Sequence, residues 1–195
     1  MLQPDGTLAT ADYDNIETTY DVSPSAMDPL LVFSVAQPIN NEEAEVKGID
    51  LQGQHFFGDT GFGIAASYTI VDGDVSFDVT DATSAQFALV GLSDTANVTF
   101  IYENYGFSGR LAYNWRDEFL QNANDGSATF DPIFVEAYGQ LDASLSYDVN
   151  DQFTLSFEGI NLTEESSRSF QRSESALKFY RENSARYYLG GRYKF

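Results

Sequence analysis

In "DGDVSFD", Asp72, Asp74 and Asp78 repeat the carboxylate spacing of a calcium loop. Such a loop also needs a central glycine for its turn and a bidentate glutamate at its last position. Both are missing, so the stretch reads as an acidic connection rather than an ion site. His55 is the single histidine. No nucleophile elbow and no ordered acid accompanies it, as a hydrolase triad requires. Beside Phe56 and Phe57 it reads as one more ring at an interface. "NVT" (Asn97–Thr99) and "NLT" (Asn161–Thr163) match a glycosylation acceptor, yet both lie in or at the end of alternating segments. No residue is assigned a catalytic, cofactor-binding or metal-ligating role, and neither a cofactor nor an enzyme activity is expected.

A second set of charges is spaced rather than clustered. Arg110, Arg116, Asp142, Asp148, Glu158, Arg186 and Arg192 occupy the polar positions of segments whose alternate residues are apolar. Successive side chains on a strand point to opposite faces. In "FSGRLAYNWRDEFL", Phe107, Gly109, Leu111, Tyr113 and Trp115 share one face, and Arg110, Asn114 and Arg116 share the other. The same dyad runs through "VKGIDLQGQHFF", "FGIAASYTIV", "NVTFIYEN", "LDASLSYDV", "FTLSFEGINL" and the closing "RYYLGGRYKF". In that last segment Tyr187, Leu189, Tyr193 and Phe195 face opposite Arg186, Arg192 and Lys194. Seven strands follow from this pattern. "LLVFSVA" (Leu30–Ala36) is a candidate eighth.

A soluble sheet lays its apolar face on a core, whereas a membrane barrel turns rings to lipid and charges to a wet lumen. Composition narrows the choice. The 195 residues carry a formal charge of −20, 16 Phe, 12 Tyr and no Cys. A charge of that sign argues against binding nucleic acid through its phosphates. Without cysteine there is neither a disulfide framework nor a thiolate metal site. No apolar run approaches the ~20 residues of a membrane-spanning helix, but barrel strands need only about 9–11 residues with every second one apolar. "MLQPDGTLAT" has no cationic start and no apolar stretch, so it does not read as a signal peptide. Nine acids precede the first base, Lys47, and eight more lie between Gly48 and Gly109 with no base among them. They form either a solvated acidic surface or acidic loops outside a membrane protein.

The connections alternate in length. "GDTG", "NYG" and "NDQ" are short, whereas 72–96, 120–136 and 163–184 are long. Three structureless loops of this size are unexpected in a compact soluble domain. Short turns at one rim and long loops at the other are the pattern of an outer-membrane barrel. A strand of ~10–12 residues at ~3.3 Å rise and ~45° tilt covers about 25 Å, the height of the apolar band of such a barrel. Phe57, Phe107, Phe153, Tyr193 and Phe195 fall beside the short-turn rim, and Tyr113, Trp115 and Tyr187 toward the other, as interfacial rings do. In the third long loop, Phe170, Phe179 and Tyr180 either stack on a sugar or chelate face or anchor the loop.

Taken in order, "EVKGIDLQGQHFF", "FSGRLAYNWRDEFL", "LDASLSYDVNDQFTLSFEGINLTEE" and "RYYLGGRYKF" resemble the C-terminal barrel half of TonB-dependent outer-membrane receptors, nearest the Caulobacter and Xanthomonas type. The resemblance implies an all-β, antiparallel transmembrane β-barrel segment, about seven or eight strands of a 22-stranded barrel. Its short turns would be periplasmic and its long loops extracellular. Residues 1–29 would be an acidic irregular segment and 30–195 the barrel strands, with the plug domain absent. The family imports large scarce nutrients of the oligosaccharide, siderophore or cobalamin type across the Gram-negative outer membrane. The expected partners are outer-membrane lipid and the barrel-insertion machinery, with TonB reached only through the missing plug and no nucleic acid. Tyr187, Leu189, Tyr193 and Phe195 would be the barrel-assembly signal. Arg110, Arg116, Asp142, Asp148, Glu158, Arg186 and Arg192 would face the lumen and meet the plug or line the substrate path. Alone, such a segment should not transport. Two other readings stay open: a free-standing eight-stranded outer-membrane barrel with a structural or adhesive role, and a soluble β-barrel binding protein.

Overall fold

The structure, a computed structural model, describes residues 43–127 and 129–195. The candidate strand Leu30–Ala36 and the acidic segment 1–29 lie outside the described residues. In chain order the strands are β1 (Val46–Phe56), β2 (Phe62–Gly73), β3 (Thr95–Asn104), β4 (Phe107–Arg116), β5 (Phe119–Asn122), β6 (Ile133–Val135), β7 (Tyr138–Asn150), β8 (Phe153–Ile160), β9 (Ser167–Gln171), β10 (Leu177–Arg181) and β11 (Arg186–Tyr193). Among the described residues the only helical element is a 3-10 turn, Gly58–Thr60. No helix among the described residues is long and apolar enough to cross a membrane, which says nothing of strands.

Seven of these strands form one antiparallel sheet in the order β1-β2-β3-β4-β7-β8-β11, and the other four form a second sheet in the order β10-β9-β6-β5. The large sheet contains all seven strands read from the dyad pattern. Among the described residues it is not closed, and β1 and β11 are its edges.

Local chemistry explains the tight turns. Between β3 and β4 only Tyr105 and Gly106 intervene, both left-handed with φ of 52° and 78°. A two-residue turn with that backbone twists the way the flanking strands do. Between β7 and β8 the Asn150 carboxamide oxygen accepts from the Gln152 and Phe153 amides, at 3.0 and 2.9 Å. Such an Asx cap supplies partners that the ladder cannot.

The register keeps the ring face continuous. One row crosses all seven strands: His55, Ile64, Phe100, Leu111, Ala143, Gly159 and Tyr187. A neighbouring row runs from Phe62 through Tyr102, Gly109, Leu145 and Phe157 to Leu189. Phe62 and Tyr102 pack at 4.7 Å between ring centroids, Phe107 stacks on Tyr147 at 4.4 Å, and Phe157 on Tyr187 at 6.1 Å. These are side-by-side contacts within one surface. No layer covers them among the described residues: Ile49, Leu51, Phe100 and Leu145 are exposed, and Leu189 is 84% exposed. A soluble sandwich would bury this face against a second sheet about 10 Å away.

The dry interior lies elsewhere. Phe170, at 4% exposure, is the buried apolar side chain, and Pro132 is fully buried. Phe170 sits on β9 opposite Phe134 of β6, their rings stacked at 5.4 Å. Two expectations are corrected here. The long connections are not structureless, because two of them carry the strands of the small sheet. "FSGRLAYNWRDEFL" is not one strand either. Asp117 and Glu118 break it, and Phe119 and Leu120 pair with Val135 and Phe134 in the small sheet. We call the large sheet the wall and the small sheet, with the connection 74–94, the cap.

Candidate functional site

The polar face of the wall is graded. One step below the cap-side row of Asp50, Thr69, Thr95, Arg116 and Tyr138, a row is made of amides and a hydroxyl: Gln52, Ser67, Asn97, Asn114 and Gln140. Asn97 donates to the Ser67 hydroxyl at 3.2 Å. Farther toward the short turns, Arg110, Ser144, Glu158 and Tyr188 form one row, and Ser108, Ser146, Ser156 and Gly190 the next. Small side chains in that second row leave a hollow edged by Arg110, Glu158 and Tyr188.

All seven charged residues singled out in the sequence lie on this polar face by register. Arg110 stands 3.9 Å from Glu103, both exposed. A pair so placed contributes ~0–1 kcal/mol. Asp142 accepts from the Gln140 amide at 2.7 Å and from the Asn161 backbone N–H at 2.8 Å. Asp148 accepts from the Thr154 hydroxyl at 2.6 Å. Arg186 lies opposite Ile160 and Arg192 opposite Thr154, while Glu158 lies between Ser144 and Tyr188. Arg116 leans out of the wall: it donates to the Ser93 hydroxyl and the Gly91 carbonyl, at 2.7 and 2.6 Å, and lies 3.8 Å over the Phe119 ring. Among the described residues these seven do not converge on one ligand-sized point. They line a surface.

The C-terminal rings stand on the other face. Tyr187, Leu189 and Tyr193 project from the edge strand β11 and are exposed, as is Phe195 beyond it. Tyr193 and Phe195 meet edge to face at 5.3 Å. The Lys194 amide donates to the Gln152 carbonyl at 2.8 Å, which carries the pairing one residue past β11. His55 meets Phe57 edge to face at 4.9 Å.

Carboxylates in the connection 74–94 serve the backbone. Asp74 accepts from the Glu45 amide at 2.8 Å, Asp78 from Thr80, and Asp81 from Thr83 and Ser84. The Ser84 and Thr83 hydroxyls hold the Asp81 carboxyl at about 2. Hydrogen bonds from Ser127, then the Lys178 ammonium, hold Asp125 at about 2. Among the described residues no group of acids and His55 is arranged to hold a metal. At the foot of the cap, burial and then the charges of Glu174, Glu136 and Asp117 push Glu118 up.

The sequence reading met Asn161 only as part of a glycosylation triplet, and it did not single out Arg172. Asn161 is 3% exposed and left-handed, with φ of 56°. Its amide donates to the Glu165 and Asn183 carbonyls, at 3.1 and 2.9 Å, and its oxygen accepts from the Glu165 N–H. One side chain thus closes both ends of the connection 161–185. "INLTEE" carried the signal, since asparagine tolerates the left-handed region better than other branched or polar residues. Of the three loop rings, Phe170 is an anchor, while Phe179 and Tyr180 on β10 are exposed.

A meander of antiparallel strands with rings on one uncovered face and polar groups on the other defines a class, the wall segment of a β-barrel. Residues 7–162 match the family described as TonB dependent receptor-like, beta-barrel, and the chain belongs to that family. The match covers β1 to β8 and stops short of β9, β10 and β11. No curated protein and no solved structure matches the chain. The family is one of receptors and transporters, not of enzymes.

Proposed function

We propose that the chain is the C-terminal wall of a TonB-dependent receptor in a Gram-negative outer membrane. The complete receptor imports a large scarce nutrient of the oligosaccharide, siderophore or cobalamin type. The carrying observation is the ring face, which runs unbroken across seven strands with nothing laid over it among the described residues. Lipid is the partner that fits it, because hydrocarbon removes rings from water without needing a second sheet. The polar face then lines the lumen, where Arg110, Asp142, Asp148, Glu158, Arg186 and Arg192 meet a plug or the passing solute. Arg116 serves the rim instead. Short turns are periplasmic and the cap is extracellular. "YNWRDEFL" and "FEGINLTEE" keep the chain with the Caulobacter and Xanthomonas type.

The two edges that stay unpaired among the described residues support the further reading that this wall does not transport alone. Unpaired strand edges are not tolerated in lipid, where each unsatisfied group costs several kcal/mol. The remaining strands, a plug and TonB acting through that plug belong to the working machine. Residues Tyr187, Leu189, Tyr193 and Phe195 present the alternating rings that the barrel-insertion machinery would read.

Trp115, the single tryptophan, tests the reading. It lies on the ring face between Ala96 and Gly139, toward the cap. In the chain refolded with bilayers, brominated acyl chains should quench its fluorescence and aqueous acrylamide should not. A chain that is monodisperse in plain buffer, with Trp115 open to acrylamide, overturns the proposal.

A further inference from the structure

Arg172 follows β9 with φ of 56°. Its own amide donates to the Pro132 carbonyl at 3.1 Å, extending the pairing of β9 with β6. The side chain then reaches two other connections. Nη1 donates to the Val79 and Asp81 carbonyls, the latter at 3.1 Å. Nη2 donates to the Thr129 and Phe130 carbonyls at 3.1 and 3.5 Å, and both Nη2 and Nε reach Asp131 Oδ1 at 3.1 Å. The guanidinium is therefore surrounded by acceptors from chain segments about 40 and 90 residues away. Its planar fork of five N–H donors suits such a ring of carbonyls, and a lysine ammonium does not.

The ties within the cap are unevenly shared. The second and third connections are joined several times over: Phe134 stacks on Phe170, Arg168 pairs with Glu136, and Lys178 meets Asp125 at 3.2 Å. The base of the first connection is held to the wall and to β5 through Gly91, which donates to the Leu120 carbonyl at 2.8 Å, and through Arg116. Its tip, around Val79 and Asp81, meets the third connection through Arg172.

We propose that Arg172 is a clasp that makes the three long connections of this rim one mechanical unit, so that they open together rather than singly. The inference needs neither the transported solute nor the transport reading, and it stands if the chain proves to be a structural barrel.

Hydrogen exchange on the full chain refolded in detergent micelles tests it. The amides of Asp78, Thr80 and Thr83 are useful reporters, since side chains within the first connection hold them. In R172A and in R172K, exchange at 78–83 and at 125–131 should quicken by roughly tenfold or more, as expected for losing several hydrogen bonds. Protection of the wall amides should not change. Acceleration confined to 168–176, with 78–83 unchanged, overturns the proposal. A measurement on the unaltered chain covers the case of a variant that fails to fold. Under alkaline conditions, where chemical exchange outruns reclosing, 78–83 and 125–131 should exchange at one common rate. Two distinct rates overturn it.

Discussion

At the scale of single residues, the sharpest features are side chains held in backbone conformations that disfavour them. Tyr105 occupies the first position of the β3–β4 turn with φ of 52°. A left-handed L-residue costs ~1–2 kcal/mol, and asparagine feels less of it. Tyr105→Asn should stabilise the refolded chain by ~1 kcal/mol, read as a raised urea midpoint in micelles. Asn161 uses the same conformation differently, because its carboxamide satisfies three backbone groups. Asn161→Ala leaves them without partners, at about 1–3 kcal/mol for a buried group. Proteolysis by trypsin at Arg168, Lys178 and Arg181 should quicken, with the wall strands unaffected. The acids of the cap give a pH signature. Asp81 and Asp125 stand at about 2, below the ordinary value of an unfolded carboxyl. A depressed folded pKa adds stability above the unfolded value and loses it as pH falls through the folded one. The cap should therefore resist pepsin at pH ~4 and yield as pH falls toward ~2.

Elements were legible to the extent that their periodicity was long. The seven wall strands repeat the dyad over 8–13 residues, and each was found where the pattern put it. The cap strands run only three to five residues, too few for alternation to stand out from chance. "RDEFL" misled for a related reason. Phe119 and Leu120 continue the apolar rhythm of β4, and only the pairing partner reveals that they belong to another sheet. Phe170 looked like Phe179 and Tyr180 because ring content does not report which loop residues fold back. The face assignment has its own test. Leu111 sits mid-strand on the ring face between Phe100 and Ala143, and Ala112 faces the other way between Thr99 and Asp142. Leu111→Arg should destabilise the bilayer-inserted chain by ~2–4 kcal/mol, while Ala112→Ser should change little. Similar losses from both would remove the distinction between the faces.

For the molecule as a whole, the sequence carried the wall and left the cap unread. The polar set was placed by parity alone, and register brings it to one face. Parity could not show that Arg116 turns to the rim or that Arg172 gathers three connections, since both depend on contacts between distant segments. Pairing order supplies a last corollary. Every wall strand lies beside its nearest wall neighbour in the chain. A break in the backbone near 84–86 would leave one fragment holding β1 and β2 and another holding the rest. Their reunion rests on the eight residue pairs that join Phe62–Thr69 to Thr95–Tyr102, on the Asp94 carboxylate that accepts from Tyr68 and Val71, on the bonds between Asp78 and Gln86, and on the Arg172 contacts to Val79 and Asp81. The protein thus suits construction as a split pair, two polypeptides made apart and restored to one sheet by mixing during refolding.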